Sequence, residues 1–533
     1  MMMGLLDHLP VMPVLLPSLT AVVLLLVGDH GGDEHDLRKL VLSSRISIVS
    51  ALIGLVIAIQ LTVQAGGGDL MVYRLGEWPA PFGIVLVVDR LSAMMLLLTS
   101  LVALPVLLYA SGGWSGQGRY FHALFQFQLM GLNGAFVTGD LFNLFVFFEV
   151  LLIASYVLMM HGLGRERLRV GVHYVVLNLS ASALFLIGVA LLYALTGTLN
   201  MADLALRVPL VTGPDAVVLQ VAALLLLVVF GFKAALAPLS VWLPATYAAS
   251  SAPVAALFAI MTKVGVYAIW RVHGVIFGSS AGASSLLVEP LLLPLAVATA
   301  ALGVMGVLAA QTLPRLVAWL TVASVGTILI AVGLFGEAAW SAALYYMAHS
   351  TLTVAGLFLL VELVAAQRGE VGGRIESASP VAQPTMLGLM LLLAAASSVG
   401  LPPMPGFIGK LMLLQASIGH GHATLVWSVV LLAGFATLIG LARAGSTLFW
   451  HVRTDLPSGA SGASAPLIAA TSMLLVASVA MSVFAGPLQR YTQAAAAQLA
   501  DRKAYADAVL GEQGGAGART TTRPYTGDGG VKR

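Results

Sequence analysis

Fourteen long apolar runs follow one another along this chain, near residues 9–27, 44–64, 83–110, 121–138, 140–160, 171–195, 216–247, 253–277, 287–309, 315–335, 338–365, 384–418, 424–450 and 466–488. A helix needs about 20 mainly apolar residues to cross the hydrocarbon layer of a bilayer. Composition agrees: 59% of the 533 residues are hydrophobic and 9% charged, against about 25% charged in soluble domains. The expectation is an all-α polytopic membrane protein of about 14 transmembrane helices.

The chain has no Cys, which excludes disulfide scaffolds, thiolate metal sites and cysteine nucleophiles. Its formal charge of +3 is small and scattered, which excludes a nucleic-acid surface. The first basic residue is Arg38, so the run Leu9–Val27 lacks the cationic region of a signal peptide and reads as the first membrane helix. Orientation follows from where Lys and Arg fall between spans. Connections after odd-numbered spans hold eleven (Arg38, Lys39, Arg45, Arg119, Arg165, Arg167, Arg169, Arg315, Arg368, Arg374 and Arg453), and those after even-numbered spans hold four (Arg74, Arg90, Arg207 and Arg271). The odd connections are therefore expected in the cytoplasm.

Two spans, 216–247 and 384–418, are too long for one straight helix, and both contain proline: Pro238 and Pro244 in the first, Pro402, Pro403 and Pro405 in the second. Proline removes a backbone donor and clashes with the preceding turn, so the helix opens there. Interrupted helices in corresponding places of two halves point to inverted repeats and their ion path. The expected layout is residues 1–120 for helices 1–3, 121–277 for a first five-helix repeat, and 287–450 for a second. Helix 14 follows at 466–488, and a polar tail at 490–533.

Charges inside the spans are few. Lys233, Lys263 and Lys410 lie within apolar runs, and Glu149 is the one carboxylate deep in such a run. Each costs about 2.5–3.5 kcal/mol at helix centre, so the four together cost on the order of 10–14 kcal/mol. Buried ion pairs that fix helix register are one explanation; a proton relay is the other. Burial disfavours the charged form of both lysine and glutamate, and a nearby opposite charge restores it. Moving one partner of such a pair therefore changes the other's hold on its proton. His349, in the eleventh span, adds a group that titrates near neutral pH.

The stretch FGFKAALAPLSVWLPATYAASSAPVAALFAIMTKVGVYAIWRV, residues 230–272, resembles the most distinctive segment of the antiporter-like membrane subunits. These are the proton-channel subunits of respiratory complex I, related hydrogenases and Mrp-type cation/proton antiporters. The resemblance covers about residues 5–490, and NLFVFFEVLLIASYVLM and TKVGVYAIWRV are most similar to the D subunit of Mrp/Pha-type antiporters. It implies a role for each buried group. Glu149 would pair with Lys233 of the first broken helix, Lys263 would link two half-channels, His349 would lie on the central axis, and Lys410 would release the proton. Two departures stand out: Thr353 replaces a lysine that many relatives carry four residues after the histidine, and Ser240 and Val241 stand where complex I members place a histidine.

The resemblance thus implies one subunit of a multisubunit Na⁺(K⁺)/H⁺ antiporter in a bacterial inner membrane, with the other subunits of that complex as partners and no cofactor or metal. The alternative is the proton-pumping arm of an NADH:quinone oxidoreductase or membrane-bound hydrogenase. Among the remaining polar residues, Asp140 reads as a helix cap, and Glu289 and Glu337 as carboxylates at helix starts. Glu362 reads as half of an interfacial ion pair, and Arg443 as a snorkelling cation or a counter-charge for a partner. The loop holding His30, Asp33, Glu34, His35 and Asp36 reads as a solvated acidic turn.

Overall fold

The computed structural model describes residues 4, 7–28, 34–78, 82–453 and 461–511. The acidic loop and the end of the chain beyond residue 511 lie outside them, as do the side chains of Glu34, His35 and Asp36. Helices dominate. In chain order they are α1 (Met12–Val27), α2 (Glu34–Gly66), α3 (Arg90–Ala110), α4 (Phe121–Val137), α5 (Leu141–Met160), α6 (Arg165–Thr196), α7 (Met201–Arg207), α8 (Pro214–Ala234), α9 (Trp242–Ala249) and α10 (Ala252–Ile269). The series continues with α11 (Glu289–Ala309), α12 (Leu313–Gly333), α13 (Glu337–Ala366), α14 (Pro384–Val399), α15 (Pro405–Ala416), α16 (Ala423–Phe449), α17 (Ala465–Val483), α18 (Ala485–Ala500) and α19 (Arg502–Leu510). Twelve of the described helices are long and apolar enough to cross a membrane. A helix or a broken helix stands at each of the fourteen expected spans.

Burial sorts these helices. α10 is buried along its whole length, and α12 and α13 nearly so, whereas α2, α6, α16 and α17 expose much of their apolar surface. In a bilayer exposed leucine and valine are matched by lipid, so the outer helices need no polar face. The inner ones pack against protein, and α10 and α13 lie against each other at the centre.

Both long spans are broken. α8 ends at Ala234, where Ala235 turns left-handed (φ 61°), and α9 resumes at Trp242. α14 ends at Val399, Gly400 turns left-handed (φ 86°), and α15 resumes at Pro405. Pro238, Pro402 and Pro403 lie within the breaks and Pro405 opens the second half-helix. Pro244 does not interrupt its helix. It sits in the first turn of α9, where a missing N–H leaves no hydrogen bond unmade.

Three regions differ from the sequence-based expectation. Residues Val85–Val88, taken into the third span, form strand β2, which pairs antiparallel with β1 (Met71–Arg74) before α3 begins. The eighth span ends in a wide π-turn, Trp270–Ile276. The tail expected from residue 490 is instead helical through Leu510: α18 and α19 lie over the hairpin side of the molecule, with Tyr491 donating to the Arg90 carbonyl (2.9 Å) and the Arg90 N–H donating to Gln498 (2.9 Å).

Asp140 caps α5 as expected, accepting the Asn143 N–H at 2.9 Å. Burial pushes its carboxyl up to about 6, against the lowering effect of the backbone N–H groups it accepts. The folded chain thus favours the protonated form. The stability this contributes is present below the ordinary carboxylate value of about 4 and is lost as pH rises through about 6. Asn caps as well as Asp and carries no charge. Asp140→Asn is therefore expected to gain on wild type in thermal stability between about pH 4 and about pH 6 and to keep that gain above. Asp140→Ala loses the cap, about 0.5–2 kcal/mol. Melting of the detergent-solubilised complex across pH reads both.

Candidate functional site

Lys233 occupies the last turn of α8 and is 6% exposed. The break beside it leaves few carbonyls unmet, because Leu236 N–H donates to the Gly231 carbonyl (2.8 Å) and the Trp242 indole to the Phe232 carbonyl (3.1 Å). The ammonium Nζ donates to Asn178 Oδ1 at 3.0 Å. Glu149 is half-buried on α5 and accepts from the Ser182 hydroxyl. Asn178 and Ser182 are four residues apart on α6, hence on one face of it. The Glu149–Lys233 ion pair implied by the resemblance is therefore not made in this conformation: each group binds a neutral side chain of α6, one helical turn apart.

Lys263 lies on α10 with no exposed surface, and its Nζ reaches the Thr262 hydroxyl at 3.2 Å. α8 and α10 touch backbone to backbone beside it. A Cβ on Gly265 would overlap Ala234 N and lie 2.8 Å from the Lys233 carbonyl carbon, so only glycine permits the approach. The two lysines thus flank one tight helix crossing.

His349, 1% exposed on α13, sits in a hydroxyl cluster. Its Nδ1 lies 3.2 Å from Thr353 Oγ1 and 3.3 Å from Ser397 Oγ, and Thr353 is 2.8 Å from Ser478 on α17. Four residues after the histidine this chain thus places a hydroxyl bonded on both sides. Lys410, half-buried on α15, donates to the carbonyls of Val399 (2.7 Å) and Ser398 (3.3 Å), the open end of α14. Free carbonyls at a helix C-terminus carry negative dipole charge, so a cation is favoured there. His349 and Lys410 line one cavity of about 30 Å³ together with Thr327, Tyr346, Ser350 and Thr353. That is room for about two waters.

The structure therefore brings the sequence candidates together as two clusters: Glu149, Lys233 and Lys263 around the first break, His349 and Lys410 around the second. Sequence reading missed Asn178, Ser182, Ser397 and Ser478; isolated amides and hydroxyls in otherwise apolar helices were the available signal. It also missed Asp89, at the start of α3, which forms a buried bidentate pair with Arg271 at 2.6 and 2.9 Å. Burial alone would raise Asp89; the Arg271 guanidinium outweighs it and holds the carboxyl below its ordinary range. Arg443 donates to the carbonyls of Leu308 (2.8 Å) and Ala310 (2.6 Å), closing the C-terminus of α11. Among the described residues no group of His, Asp and Glu could hold a metal ion.

Residues 138–437 match the family model for the membrane segment shared by NADH:quinone oxidoreductases and Mrp antiporters. The chain belongs to this NADH:quinone oxidoreductase/Mrp antiporter family. The matched segment holds all five candidates, Glu149 to Lys410. The chain is 41% identical to the D subunit of a probable K⁺/H⁺ antiporter of Rhizobium meliloti, over 95% of this chain and 98% of that one. It is 35% identical to the D subunit of a Na⁺/H⁺ antiporter of Alkalihalophilus pseudofirmus, over 95% and 100%. Among solved structures it is similar to a chain of the Mrp complex from a Dietzia species, with a TM-score of 0.83 at 28% identity, covering 95% of this chain and 99% of that one.

Proposed function

We propose that this chain is the proton-translocating, D-type component of a multisubunit Na⁺(K⁺)/H⁺ antiporter, a secondary transporter subunit rather than an enzyme, embedded in a bacterial inner membrane with the other subunits of its complex. The observation that carries the reading is the placement of Lys233 and Lys410 at the two helix breaks, each next to a further buried titratable group. The antiporter names of the relatives supply the exchange reaction. Residues 121–277 and 287–450 would be the two inverted repeats, one break in each.

In this mechanism the chain's own side chains pass a proton along. Lys233 holds it against Asn178, one turn from the Ser182 that holds Glu149. A small shift of α6 or of the break would bring the ammonium to the carboxylate, and the reverse shift would remove that counter-charge. An ammonium deprived of it, in a site of low polarity, gives up its proton more readily. The proton then moves by water to Lys263 and to the His349 hydroxyl cluster, and Lys410 releases it. The drive is the protonmotive force, about 2.3 kcal/mol for each charge crossing 100 mV. The cation is expected to cross through another subunit, because a hard cation wants several oxygen ligands and this chain offers one carboxylate at membrane depth.

Everted vesicles from an antiporter-deficient host, expressing the whole operon, test this directly. Na⁺ or K⁺ is expected to collapse a preformed pH gradient with the wild-type chain and not with Glu149→Ala, at equal subunit levels on a blot. A gradient built by NADH or another reductant through this complex, with neither cation active, would replace the reading by the oxidoreductase one.

A further inference from the structure

On the face that carries the arginine-rich connections, the turn after α3, the ends of α5 and α9 and the last turns of α13 meet. Glu362 of α13 stands among them. One carboxylate oxygen, Oε1, accepts from the Trp114 indole, and the first turn of α10, at Ala252, lies close to the same carboxylate. The second oxygen, Oε2, is enclosed and has no hydrogen-bond partner among the described residues. The hydroxyl of Ser251, which is 2% exposed and precedes α10, has none either.

The ion pair expected for Glu362 is not made among the described residues. Arg167 lies in electrostatic range, but its guanidinium donates to the carbonyls of Ala249 (2.9 Å) and His161 (3.0 Å) and stacks 5.1 Å over the Trp114 ring. The other titratable groups near this carboxylate are Tyr109 of α3, whose hydroxyl donates to the Leu359 carbonyl (3.4 Å), and His161, whose Nε2 contacts the Trp114 carbonyl (3.0 Å). His122 of α4 lies beyond His161. More than nine in ten buried polar groups are satisfied, so Oε2 is an exception. Here one oxygen is held in place and the other is left open to an exchangeable donor.

We propose that Glu362 is the carboxylate through which protons pass between this face and the buried relay; the proposal rests on the relay reading above. Oε2 takes a proton from hydronium at the face, its O–H bond forming as one in hydronium breaks and leaves water, and then gives the proton to a water on the α10 side, which becomes hydronium as the carboxylate is restored; nothing is oxidised or reduced. From Ala252 to Lys263 α10 rises about 16 Å, a distance for water and not for direct contact. Glu362 also adjoins the end of α9, the short half-helix that begins at the first break. Movement at that break would therefore reach the mouth.

The test uses the complete complex in everted vesicles, with Glu362→Gln, Glu362→Asp and Glu149→Ala in parallel. Gln keeps an acceptor for Trp114 but carries no proton. The expected result is an assembled complex whose cation-driven proton movement falls at least about tenfold and loses its pH dependence, with Asp restoring activity on a shifted pH profile. Wild-type rate and profile in Glu362→Gln overturn the proposal. Should Gln impair assembly, Asp decides: an unshifted profile overturns the proposal and a shifted one supports it. Should Glu149→Ala also remain active, the relay reading fails with it; if Glu149→Ala is silent while Glu362→Gln is normal, only the role of Glu362 falls.

Discussion

Replacing Lys233 by alanine is expected to leave a complex that assembles and moves no protons. Among the described residues the lysine's one hydrogen-bond partner is the Asn178 amide, so its removal strands a single neutral acceptor, at about 1–3 kcal/mol. It also removes a buried cation that forms no ion pair with any described residue. The structural cost is thus small against a membrane helix bundle. The functional cost is the loss of the carrier at the first break, at least about 10²-fold in rate. If the buried charges served only to hold helices in register, the same substitution would instead lower the amount of assembled complex. A blot for partner subunits beside the vesicle assay separates the two outcomes.

Gly406→Ala is expected to damage the second break nearly as severely, for a steric reason. A Cβ there would overlap the Ser397 carbonyl oxygen and fall 2.9 Å from His349 Nε2. The end of α14, the start of α15 and the imidazole all meet at this residue, so relief requires the two half-helices to separate. Overpacking of this kind costs about 1–3 kcal/mol or more. It also displaces Lys410 from the α14 carbonyls that hold it. Gly388→Ala, on the same broken helix, is the control, because its Cβ would meet the Phe449 ring at an ordinary 3.7 Å. Normal antiport with Gly388→Ala and loss with Gly406→Ala is the expected pair of results.

The membrane helices were legible because hydropathy along the chain reports directly on the solvent each segment meets. The breaks were legible because proline and a buried lysine coincide in two overlong spans. The hairpin was hidden by its own apolarity: only Asp89 and Arg90 separate Val85–Val88 from the apolar body of α3, too short a polar break to mark a separate element, and the pairing with Met71–Arg74 reveals strand geometry. The C-terminal helices were hidden for the opposite reason. Ala485–Leu510 is too polar for the bilayer, and its order comes from packing on α13 and from hydrogen bonds to residues some 400 positions earlier, such as Arg90. The candidate ionisable groups could be named from the sequence, but not their partners. Asn178 and Ser182 come between Glu149 and Lys233 only because α6 packs beside both α5 and α8, and Asp89 meets Arg271 across most of the first half of the chain.

The most direct measurement is proton movement in liposomes reconstituted with the purified complex, with a pH-sensitive dye inside and a Na⁺ or K⁺ gradient imposed. The account predicts that the cation gradient drives a dye response with the wild-type chain, and that Lys233→Ala, incorporated to the same level, gives none. An undiminished response with Lys233→Ala would contradict it, because protons would then cross by a path that does not involve the first helix break.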